Sequence, residues 1–144
     1  MSKQIYLFLF ILIPLLVFEC SKSPSPRVMV MDFIEAVNTA DTASLEMYLD
    51  LERFTQEKVK ELPDSIRAEV FSEVKEQLRQ NFLGSGGTRL RWQNKMIVVN
   101  KEEIEGEHAL VEVTFVDQKT GITEYTKARL YKKEDRWWIY YIKD

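Results

Sequence analysis

The stretch DSIRAEVFSEVKEQLRQNFLGSGGTRLRWQNKMIVVN, residues 64–100, holds the change of period that decides the fold. Up to Phe82 the apolar residues recur every four positions: Ile66, Val70, Val74, Leu78 and Phe82, with Phe71 beside them. That spacing lines one face of a helix. Asp64 or Ser65 can open it, Glu76 and Arg79 support its exposed face, and Gly84 stops it. Ser85–Gly87 reads as a flexible joint. Beyond Gly87 the period falls to two, so TRLRWQNKMIVVN, Thr88–Asn100, reads as a long strand with a bulge near Asn94.

Upstream, the helical spacing continues. Ser25 and Pro26 suit the N-cap and first position of a helix whose face is Val30, Phe33, Ile34 and Val37. Asn38–Ala40 breaks it, and Asp41 caps a shorter helix with Leu45, Tyr48 and Leu49 on its apolar side. Thr55 is placed to cap a further turn or two before Pro63. Downstream, Glu107–Asp117, Ile122–Lys133 and Trp137–Lys143 alternate as strands. Their connections KEEIEG, QKTG and EDR are hairpin-sized, so the sheet is antiparallel. WWIYYIKD is aromatic on both faces, which places that strand inside the sheet rather than at a wet edge. Helices first and a four-stranded meander after them define an α+β domain, expected over residues 27–144, with helices on one face of a curved sheet.

Composition bounds the function classes. The chain has 144 residues, 45% of them hydrophobic and 12% aromatic, enough for one packed domain. Its net charge of −3 gives no basic footprint for nucleic acid. One cysteine excludes an internal disulfide, and one histidine excludes a Cys/His zinc site, so neither metal nor cofactor is expected.

The N-terminal residues carry an address. Lys3 precedes an apolar run, Ile5–Phe18, interrupted by Pro14. As a helix that run is about 21 Å long, short of a bilayer core of roughly 30 Å. Residues 1–19 therefore read as a signal peptide. No alanine precedes Ala36, so an A-x-A cleavage site is missing. The sequence LVFEC instead resembles a lipobox, in which the cysteine receives palmitate-class acyl chains and becomes the mature N-terminus. Val17 fits that pattern, whereas Phe18 and Glu19 depart from it. Cys20 is thus the expected lipidation site and membrane anchor. Residues 20–26, the lipidated cysteine and its SKSPSP run, form a short extended tether. Ser21 in place of an inner-membrane retention aspartate favours the outer membrane of a cell envelope.

VMVMDFIEAVNTADTASLEMYLD, with its NTAD break and Tyr48-Leu49 ending, resembles the opening of nuclear-transport-factor-2-like domains. The closing DRWWIYYI is similar to the charged turn and Trp-bearing strand of that superfamily, which includes small bacterial lipoproteins. The resemblance covers Val28–Ile142 and implies a cone: a curved sheet around a long helix, open at one end. It also implies two kinds of function, non-enzymatic binding or scaffolding, and cavity enzymes such as isomerases, dehydratases and cyclases. A homodimer through the sheet face belongs to the same expectation.

Acid–base chemistry needs ionisable groups inside that cone. His108 has the parity of Glu112 rather than of the Ala109–Phe115 apolar face, and reads as a surface histidine. Asp32 lies on the polar Arg27, Glu35, Thr39 side of its helix, and serves as a cavity acid only if turned inward. The remaining pattern is basic. Arg89, Arg91 and Lys95 alternate on one predicted strand, and Tyr125, Lys127, Arg129, Tyr131 and Lys133 on another. If the two faces coincide they form a cationic, tyrosine-bearing surface suited to an anionic envelope ligand, lipid head groups or an acidic partner. Solvated strand exteriors carry the same residues. The expectation is a membrane-tethered binding or scaffold domain; the rival is a cavity enzyme or small-ligand carrier.

Overall fold

The computed structural model describes residues 23–143. The predicted signal peptide and Cys20 lie outside the described residues.

Helix α1, Pro26–Thr39, is the axis of the domain. Ser25 Oγ accepts the Val28 N–H at 3.3 Å and Pro26 occupies the first turn, so the helix starts where its caps dictate, inside the stretch expected as tether. Glu102, from the first strand, accepts the Arg27 N–H at 2.9 Å and satisfies a second orphan donor from across the fold. Met29, Val30, Phe33, Ile34, Ala36 and Val37 are buried, a continuous apolar flank. Each large side chain among them contributes about 1.5–3 kcal/mol of burial. Ala40, in left-handed conformation (φ 57°), ends the helix at the predicted break.

Helix α2, Thr42–Tyr48, is capped by Asp41 as predicted, through the Ser44 N–H at 3.1 Å. Helix α3, Leu51–Val59, is capped by Asp50, not Thr55. Thr55 is interior and buried; its hydroxyl donates to the Leu51 carbonyl at 2.7 Å, which removes it from any capping role. Helix α4, Asp64–Asn81, is the longest but not the axis. Only Leu78 of it is buried and Ile66 is exposed, because the helix leans on α3 and reaches the core with its last turns alone.

The stretch predicted as a strand from Thr88 is two elements. Gly87–Trp92 forms helix α5, and strand β1 spans Met96–Glu105. Thr88 and Trp92 are both 2% exposed while Leu90 is 57% exposed. A strand would put all three on one face, whereas a helix buries i and i+4 together. Asn94 does adopt positive φ (60°), but as a turn residue before β1. The bulge in that strand falls between Val99 and Lys101 instead.

Strands β2, His108–Val116, β3, Thr123–Lys133, and β4, Arg136–Ile142, complete an antiparallel sheet in the order β1-β2-β3-β4. Strand β4 is therefore terminal, not internal. Its edge is covered by the chain between α2 and α3: Leu49 bridges Ile139 in parallel, and the Asp50 N–H donates to the Ile139 carbonyl at 2.8 Å. The aromatic content read as burial on both faces is met by α1 inside and α3 outside. A second bulge, between Arg129 and Leu130 in the β3–β4 pairing, leaves Ile139 and Ile142 buried and sends both Tyr140 and Tyr141 outward.

Ala109, Val111, Val113, Phe115, Ala128, Leu130, Trp137 and Ile139 form the inner face. Between them and α1 lies an aromatic cluster. Trp92 stacks on Phe115 with centroids 4.9 Å apart and planes 14° apart, and Phe33 meets Phe82 and Trp92 edge-on at 5.3 and 6.3 Å. Phe54 adjoins Phe82 at 6.3 Å.

Candidate functional site

The interior of the cone is a packed core. Among the described residues the buried polar side chains are Thr55, Thr88 and Thr126, with no carboxylate or imidazole among them. Asp32 is exposed and lines an open depression with Met47, Tyr48, Glu134 and Arg136. His108 is exposed at the start of β2. Neither faces the core.

The basic residues singled out from the sequence divide into two groups. Tyr125, Lys127, Arg129 and Tyr131 do share one surface, the outer face of the sheet, because Thr126, Ala128 and Leu130 take the inner one. Arg89, Arg91 and Lys95 are not on that face. Arg89, on α5, donates to the carbonyls of Val37 at 3.0 Å, Asn38 at 3.3 Å and Gly84 at 2.6 Å, tying the ends of α1 and α4 together. Arg91 Nε lies 3.7 Å from Glu124 and Lys95 Nζ 2.7 Å from the same carboxylate, so both are engaged at the start of β3.

On the outer face the cations have distinct environments. Lys127 pairs with its cross-strand neighbour Glu112 at 2.9 Å. Hydrogen bonding from Lys127 first, then from Tyr125, holds the Glu112 carboxyl below its ordinary range. The Lys127 ammonium is raised by the same partner. Tyr131 donates its hydroxyl to Asp50 Oδ2, and partial burial, followed by that bond, pushes the phenol up.

Arg53, which the sequence did not indicate, reaches from α3 over this face. Its guanidinium lies 4.1 Å from the Tyr131 ring centre and 4.4 Å from that of Tyr140, while the two rings meet edge-on at 5.8 Å. Arg129 lies 5.1 Å over Tyr141, and Lys58 lies 5.5 Å from the same ring. Cations and tyrosines thus alternate along the β3–β4 flank. Beside them is an open depression of about 270 Å³ lined by Glu103, Glu105, His108, Leu110, Arg129 and Tyr140. The doublet Tyr140-Tyr141 was the available signal, since two like residues in succession break strand alternation where a bulge sits. Nothing in the sequence marks Arg53, whose ring partners are far away along the chain.

Among the described residues no cluster of His, Cys, Asp and Glu has metal-site geometry, and no helix is long and apolar enough to cross a membrane.

No protein-family model and no curated protein sequence matches the chain. The structure is similar to a crystal structure from Campylobacter jejuni, provisionally named an NTF2-like transpeptidase (NTF2, nuclear transport factor 2). The TM-score is 0.51 and the identity 18%, over 81% of this chain and 97% of that one. At that identity the likeness establishes architecture alone: the chain has the nuclear-transport-factor-2-like α+β fold.

Proposed function

We propose that this protein is a cell-envelope lipoprotein, anchored through acyl chains on Cys20, whose domain binds a ligand without transforming it. The observation that carries the binding reading is the filled cone. Cavity enzymes of this architecture need a pocket and an ionisable group inside it. Here Phe33, Phe82, Trp92 and Phe115 occupy that space, and the polar chemistry lies on the outer face of the sheet. Peptide-bond transfer, the reaction named for the Campylobacter protein, needs a hydroxyl or thiol activated by an adjacent base. The depression beside His108 offers the Tyr140 phenol and no serine, threonine or cysteine. The anchor rests on the apolar run that ends at Cys20.

Metabolic labelling with a fatty-acid analogue tests the anchor. The wild type takes up label, Cys20→Ala does not, and equal labelling of the two removes the lipoprotein reading. Solution titration with steroid-like or other compact apolar ligands tests the cone. No saturable binding is expected, and stoichiometric uptake would return the cavity reading to first place.

A further inference from the structure

We infer that the Arg53–Tyr140–Arg129 flank of the sheet is a binding site for an acidic oligosaccharide. This deepens the binding reading above and rests on it. The geometry of the two arginines carries the argument. Among the described residues each guanidinium lies on the face of a tyrosine ring and in no ion pair with a carboxylate: Arg53 between Tyr131 and Tyr140, Arg129 over Tyr141. Stacking uses the flat of the guanidinium and leaves most of its in-plane N–H donors for an oxyanion. Lys127, on the same face, is engaged by Glu112 and so has less to offer an incoming anion than the two arginines.

The bulge at Tyr140 supports the same reading. It turns two consecutive tyrosines outward, and all four aromatic residues on this flank, Tyr131, Trp138, Tyr140 and Tyr141, are half-buried, which leaves apolar ring surface beside the charges. Flat apolar surface next to planar cations suits sugar rings that carry carboxylates. The depression is open rather than enclosed, which suits a chain and not a compact molecule.

The surroundings orient the ligand. Glu103 and Glu105 border the site on the β1 side, and Glu103 is already paired with Lys101. Asp50 and Glu52 border it beyond Tyr131. An acidic chain is thereby kept along β3 and β4 and repelled from crossing the sheet. Arg129 and Tyr131 are two residues apart on one strand, so successive contacts repeat at about 7 Å.

The test uses the full-length protein in detergent micelles and a uronic-acid hexasaccharide, with calorimetry as the readout. Arg53→Gln and Arg129→Gln each weaken binding about tenfold or more, the loss of a charge-assisted hydrogen bond. Lys119→Gln, on a loop at the other end of the sheet, leaves it unchanged, and a neutral hexasaccharide of the same length does not bind. Circular dichroism identical to wild type keeps both arginine variants interpretable. Absence of hexasaccharide binding overturns the inference, as does binding that neither arginine variant weakens. Binding of a polyglutamate peptide or of anionic vesicles in its place, with the same arginine dependence, overturns the ligand class and leaves the binding reading standing. Cys20 labelling is independent of every one of these outcomes.

Discussion

Arg89 shows how far a charged side chain can be from the role its sequence pattern suggests. It alternates with Arg91 in a way that reads as a cationic surface, yet its planar fork donates to three carbonyls at the ends of α1 and α4. The sequence displays the charge; the acceptors come from residues 37, 38 and 84 and exist only once the helices dock. Arg89→Ala is expected to cost about 2 kcal/mol in urea denaturation, and Arg89→Lys to recover little of it, because an ammonium cannot span the three acceptors. Glu112 was read as polar strand exterior, and the register gives it Lys127 as a directly opposite partner. Its carboxyl is depressed by Lys127 first and Tyr125 second. A depressed carboxyl contributes stability that is present above its ordinary value of 4.5 and is lost as pH falls through the folded value. Melting temperatures of wild type and Glu112→Gln should therefore differ at pH 7 and converge once the pH has fallen well below the ordinary value of 4.5. A difference that persisted in acid would assign the effect to packing rather than to charge.

At the scale of elements, the α+β order was legible because periodicity switches once and stays switched. The joint between helix and strand was misread over Thr88–Trp92, with the strand begun eight residues too early, because alternating Arg and apolar residues satisfy both periods over so short a run. The position of β4 was misread for a related reason. Aromatics on both faces report coverage, and coverage came from α3 crossing outside rather than from a further strand. The candidate site divides likewise: the outer face of β3 follows from parity, while Arg53 depends on where α3 lands. The joint also yields a paired prediction. A Cβ on Gly86 would collide with the backbone carbonyls of Gln80 and Asn81, whereas one on Gly87 meets open space. Gly86→Ala is therefore expected to destabilise by about 1–3 kcal/mol, since backbone rather than a side-chain tip must move. Gly87→Ala, at the start of α5, is expected to stay within about 0.5 kcal/mol of wild type. Equal effects in denaturant titrations would show that α4 does not approach the joint so closely.

Across the whole molecule, one architecture can hold a pocket or a core, and the choice here turns on side-chain volume at the centre of the cone. Sheet, helices and bulges are compatible with an open interior; Trp92 fills it. The indole is 2% exposed, stacked on Phe115 and flanked by Phe33 and Phe82 at 6.3 and 6.1 Å. It arrives there because α5 is a helix: a strand at Thr88–Trp92 would have placed Leu90 on the same side and left less depth for an indole. Trp92→Ala is expected to lower stability by about 3–5 kcal/mol, the transfer loss plus a residual cavity. A cavity lined by phenylalanines stays dry and accepts apolar ligands. Added indole should then raise the melting temperature of Trp92→Ala in a concentration-dependent way and leave the wild type unchanged. Trp92→Phe keeps most of the volume, so it should lose less and respond weakly. If indole instead stabilises wild type and variant equally, the cone is not closed by Trp92, and the assignment of ligand binding to the outer face loses its ground.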